Sequence, residues 1–99
     1  MVSEGYLSKI KFALRTVSTD DNVELEITDI IEECRAKMIS LGVDEGVAND
    51  EDNYLALGCV RSFARSKFSL DADDQEKNMA DFRLQVDELR KAVTDNADS

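Results

Sequence analysis

Apolar positions recur with a helical period in four stretches of this chain, separated by polar and mostly acidic segments. In the first, Leu7, Ile10 and Leu14 stand at i, i+3 and i+7 with Ala13 beside them. The spacing predicts a short helix over about 6–15, ending at the β-branched and polar run Thr16–Thr19. In the second, Val23, Ile27, Ile30, Ile31, Cys34, Met38 and Leu41 keep the same period over about 22–41. Asp20 or Asp21 is placed to cap its start, since a short side-chain oxygen accepts from the free backbone N–H groups there. Gly42 follows where a left-handed residue closes a helix.

The third stretch begins after Asn49-Asp50-Glu51-Asp52 and runs over about 53–68. Tyr54, Leu55, Leu57, Gly58, Cys59, Val60, Phe63, Ala64 and Phe68 cover most of its circumference, the mark of a helix enclosed by neighbours. Gly58 is expected to let one of them approach closely. The fourth, over about 75–93, carries Met79, Phe82, Val86, Leu89 and Val93 as a narrow seam, as in a terminal helix laid along a bundle. Residues 94–99 are polar and read as a flexible tail. The expectation is an all-α fold: one compact bundle of four helices within 1–93, joined by acidic loops.

Composition narrows what such a bundle can do. Its 99 residues leave room for a single core, and 42% hydrophobic content fits a soluble globular chain rather than a disordered one. Acids number 22 and bases 12, giving a net charge of −10. That balance argues against a broad basic face for nucleic acid and against anionic membranes. No apolar run approaches the roughly 20 residues of a membrane span, and Met1–Leu14 has no signal-peptide core.

The acids are grouped: seven within Asp20–Glu33, five within Asp44–Asp52 and four within Asp71–Glu76. Bases fall late in each helix, as Lys11 and Arg15, then Arg35 and Lys37, then Arg61, Arg65 and Lys67, then Arg90 and Lys91. This order complements the helix dipole by about 0.3–1 kcal/mol per charge. The acidity left over needs a solvated face or a partner.

Catalytic and metal chemistry find little material. Histidine is absent, which removes the commonest general base and zinc ligand together. A calcium loop begun at Asp71 has Glu76 where glycine is needed and Phe82 where the bidentate glutamate belongs; one begun at Asp50 has Leu55 and Arg61 there. Cys34 and Cys59 sit in apolar patterns and read as buried, reduced thiols. The expectation is a non-enzyme that needs no cofactor and no metal.

Three bulky apolar residues leave their own helix's core stripe: Phe12, Leu25 and Leu84 each lie about 200° from it at 100° per residue. Such residues touch a second neighbour in the bundle or enter a subunit interface. Arg61 and Arg65, near the end of the third helix, complement its dipole or meet an acidic neighbour.

The order of these motifs resembles one family. Leu7-x-x-Ile10-Lys11-x-x-Leu14-Arg15, an Asp-rich turn, Glu24-x-x-Ile27-x-x-Ile30-Ile31-x-x-Cys34 and Leu41-Gly42-Val43 are similar to the front half of tailed-bacteriophage head–tail connector proteins. An acidic loop, Leu57-Gly58-Cys59-Val60-x-x-Phe63-Ala64-x-x-x-Phe68 and Phe82-x-x-x-Val86-x-x-Leu89 resemble the back half. The family's frequent proline before the third helix is missing from Asn49–Asn53. Ser69 stands for a frequent glycine and Phe82 for a frequent tyrosine.

The resemblance implies a small helical virion protein, assembled as a ring of on the order of a dozen copies beneath the portal protein. Such a ring extends the DNA channel and receives the head-completion, stopper or tail protein that follows. It would sit at the head–tail junction of the virion, after assembly in the host cytoplasm. DNA would pass without specific binding, and no membrane is involved. Beside this, the acidic stretch suggests that Glu24, Glu26, Asp29, Glu32 and Glu33 face the channel and repel phosphates. Phe12, Leu25, Leu84, Arg61 and Arg65 are then the candidates for subunit and partner contacts. A different class of function is also open: a small acidic helical regulator, or DNA mimic, that binds a basic partner.

Overall fold

A computed structural model of the chain describes residues 2–15 and 21–98, with side chains up to Ala92. Every regular element among them is helical: α1 (Glu4–Ala13), α2 (Asp21–Ser40), α3 (Glu45–Ala48), α4 (Tyr54–Phe68) and α5 (Ala72–Asp98). The four long helices match the four periodic stretches. The count of four does not hold, because the acidic connection after α2 contains the short α3. The reason is local. Asp44 turns its carboxylate onto the free N–H groups of Gly46 and Val47, at 3.0 and 3.4 Å, and so nucleates a single turn. Ala48 then plugs into the core.

Helix ends follow from caps. Ser3 opens α1 by accepting from the N–H of Tyr6, and Asn53 opens α4 by accepting from that of Ala56. Asp71 accepts from the N–H of Asp73 and starts α5 at Ala72, three residues before the start at 75 that the periodicity predicts. At the other end α5 keeps its helical backbone to Asp98, through most of the stretch read as a tail. Gly42 ends α2 with φ of 101°, the left-handed region that disfavours a side chain. Of the two capping candidates for α2, Asp20 lies outside the described residues and Asp21 is its first helical residue.

Helix α4 is the centre of the packing, touching α1, α2 and, most extensively, α5. Ile10, Ile27, Ile31, Cys34, Met38, Ala56, Leu57, Cys59, Val60, Phe82 and Leu89 are fully buried around it. The Phe63 and Phe82 rings meet at 5.1 Å between centroids and tilt by 59°, a favourable aromatic geometry. Two buried serines of α4 are satisfied by α5: Ser62 donates to Gln85 Oε1 at 2.8 Å and Ser66 to the Gln75 carbonyl at 3.2 Å. The enclosure of α4 is less complete than its composition predicts. Tyr54 and Phe68, about 40° apart around the helix, are exposed, so one stripe of α4 faces solvent; Leu55 is exposed in the first turn.

Gly58 also departs from expectation. A Cβ placed there would meet only the Gln85 amide, at 3.9 Å, an ordinary contact. No neighbour presses on the backbone at this position. The radius of gyration, 13.5 Å, is what a single domain of about 100 residues should have.

Candidate functional site

The sequence candidates divide among three surfaces. On α2 the buried residues Ile27, Ile31, Cys34 and Met38 define the inner face. Glu26, Asp29, Glu32 and Glu33 point the opposite way, within about 120° of one another around the helix, and all are exposed. Leu25 stands in the same outer face, 62% exposed. Glu24 does not belong with them. It lies on the flank toward α1, half-buried, and accepts a charged hydrogen bond from Lys11 Nζ at 2.8 Å. The expected set of five outward carboxylates is therefore four. Two of these lie near cations of the same chain: Glu32 is 3.5 Å from Arg35 and Glu33 is 3.6 Å from Lys67.

The second surface runs along the seam of α1 and α4. Tyr54, Arg61, Arg65 and Phe68 share the solvent-facing stripe of α4, within about 60° of one another. Lys9 of α1 reaches over the Tyr54 ring at 6.0 Å. Farther along, Arg15, Arg65, Phe68, Ser69 and Asp74 line an open cleft of about 430 Å³. Arg15, two residues past the end of α1, has a positive φ of 61°. Phe12, 77% exposed, lies within about 60° of Lys9 around α1. Arg61 is half-buried, and its Nε is a buried donor without a hydrogen-bond partner. Arg61 and Arg65 thus share the exposed stripe of α4, Phe12 lies exposed on α1 on the same side as Lys9, and Leu25 is elsewhere. Leu84 stands apart from both, 63% exposed on the outer side of α5.

Sequence reasoning missed the best-connected polar cluster. Arg35, read as a helix-end cation, is buried at 3% exposure. It stacks on the Tyr6 ring, 5.2 Å from guanidinium carbon to centroid, and donates through Nη2 to Glu51 at 3.1 Å. Glu51 also accepts from the Ser3 backbone N–H at 3.0 Å and from the Ser3 hydroxyl. One carboxylate thus joins the start of α1, the middle of α2 and the loop before α4. Burial alone would raise the Glu51 pKa, but the Ser3 hydrogen bonds and the Arg35 guanidinium outweigh it and hold it below the ordinary 4.5. Burial pushes Tyr6 up to about 12, against the opposing pull of Arg35. A signal for this cluster does exist in the sequence: Arg35 stands four residues after Ile31 and three before Met38, on the core stripe.

Both thiols are buried and unoxidised. Burial raises Cys59 from 9.0 to about 11 and pushes Cys34 up further, so neither has thiolate character at neutral pH. Among the described residues no three Cys, Asp or Glu side chains converge to hold a metal ion. Among the same residues no helix is long and apolar enough to cross a membrane. No protein-family model, curated protein or solved structure matches the chain.

Proposed function

We propose that this chain is a structural assembly protein, a head–tail connector of a tailed bacteriophage or prophage. In this reading it forms a ring beneath the portal, extends the DNA channel and docks the next head-completion or tail component. The observation that carries the reading is the segregation of charge. Four carboxylates share the outer face of α2, while along the α1–α4 seam Lys9 meets Tyr54 and Arg15 meets Arg65 and Phe68, with Arg61 on the same stripe of α4 and Phe12 exposed on α1.

A ring is closed by heterologous contacts, in which one surface of a subunit meets a different surface of the next. A chain with a mostly acidic outer face on α2 and a mostly basic α1–α4 seam has the material for that, and the exposed aromatics supply apolar area to bury. The acidic outer face of α2 suits a channel lining, because it repels the phosphates of passing DNA and the duplex does not adhere. The seam then suits contact with an acidic neighbour or the portal.

Co-sedimentation with the portal protein encoded beside it tests the proposal. The wild-type chain should pellet stoichiometrically with portal rings, and a Phe12→Asp/Arg65→Glu variant should remain in the supernatant. Equal pelleting of both, or of neither, contradicts the reading. The alternative, an acidic regulator that mimics DNA, predicts instead tight, salt-sensitive binding to a basic DNA-binding protein.

A further inference from the structure

Between the second half of α2 and the first half of α5 lies a groove of about 560 Å³, floored by α4. Its accessible apolar lining is Ala36, Leu41 and Met79, over the buried rings of Phe63 and Phe82, and its rim carries Lys37, Lys67 and Arg83 against the single acid Glu33. Three cations around one apolar slot is a local reversal of sign on a chain of net charge −10. The groove therefore fits a segment that is apolar at its tip and acidic at its base.

The chain carries such a segment. Leu70, in the turn between α4 and α5, is 103% exposed, the most exposed large apolar residue described. Asp71, Asp73 and Asp74 follow it at once. The turn is also built before anything binds it. Ser69 Oγ donates to the Asp71 carbonyl at 3.2 Å, and Gln75 Nε2 donates to the Ser69 carbonyl at 2.7 Å. A preordered loop loses little conformational entropy on docking.

We propose that the groove between α2 and α5 is the seat for the Leu70–Asp74 turn of a second copy of the chain. Leu70 enters against the apolar lining, and the aspartates meet Lys37, Lys67 and Arg83. The contact is heterologous, since the turn and the groove are different surfaces, and it propagates from copy to copy. It rests on the ring reading above and names the subunit contact within it.

Reversing charge on each side separately tests the seat. A Lys37→Glu/Arg83→Glu chain has an acidic groove and an acidic turn; an Asp73→Lys/Asp74→Lys chain has a basic groove and a basic turn. Each alone should associate at least ~10-fold more weakly than wild type, measured by light scattering with and without portal protein. An equimolar mixture should regain wild-type mass, because the two variants fit each other alternately. Leu70→Asp, at a position that touches nothing in the fold, should weaken association without changing the circular dichroism. If all these variants assemble like wild type, the seat is wrong while the ring stands. A wild-type chain that stays monomeric even with portal protein overturns both.

Discussion

Arg35 shows how one side chain can organise a small core. Its guanidinium lies against Tyr6 and donates to Glu51, and Glu51 is held in turn by Ser3, so three separate segments share one charge pair. Removing Glu51 takes one of its acceptors from the buried Arg35, with Glu32 still 3.5 Å away, and breaks the link to Ser3, so Glu51→Ala should cost about 1–3 kcal/mol in urea unfolding. The pH dependence follows from the lowered Glu51 pKa. A carboxyl with a depressed folded pKa stabilises fully above the unfolded value of 4.5, and that contribution is lost as pH falls through the folded value. Stability of the wild type should therefore drop below about pH 4.5 more steeply than that of Glu51→Gln, measured as urea midpoints against pH. The core place of Arg35 was legible in the period of α2. Its partners were not, because Ser3 and Glu51 are 48 residues apart and nothing local pairs them.

Among the elements, α4 was legible as the central helix, since its buried residues cover most of its circumference. Its exposed stripe was not, because composition cannot say where three neighbours leave a gap. Gly58 sits on that helix with space beside it, so the glycine carries only its entropic cost there. Gly58→Ala should stabilise the fold by about 0.5–1 kcal/mol, visible as a raised thermal midpoint. The short α3 escaped the periodic reading because four residues are too few to show a period; Asp44 was its only mark. Asp44→Ala should cost about 1 kcal/mol and speed amide exchange at Gly46 and Val47, with the long helices unaffected.

At the scale of the whole molecule the arrangement of charge matters more than its total. The grouping of acids within Asp20–Glu33 was visible in the sequence, and α2 does carry four of them outward. The basic and aromatic seam was only half visible, since it takes the packing of α1 on α4 to bring Lys9 to Tyr54 and Arg15 to Arg65. The groove was not visible at all, because its width depends on how far α5 stands from α2. If the α2 face lines a channel, a Glu26→Lys/Asp29→Lys chain should still assemble but retain DNA. Release of DNA from loaded particles should then slow, and more so at low salt. Unchanged release would place that face elsewhere.

The central claim is that the chain works as an assembled ring, and mass in solution tests it most directly. Light scattering should be run on the chain alone over a range of concentrations, then after mixing with portal protein from the same genome. The account predicts either a ring of on the order of a dozen copies or a monomer that joins the portal stoichiometrically. A monomer at every concentration that leaves the mass of the portal unchanged would contradict it.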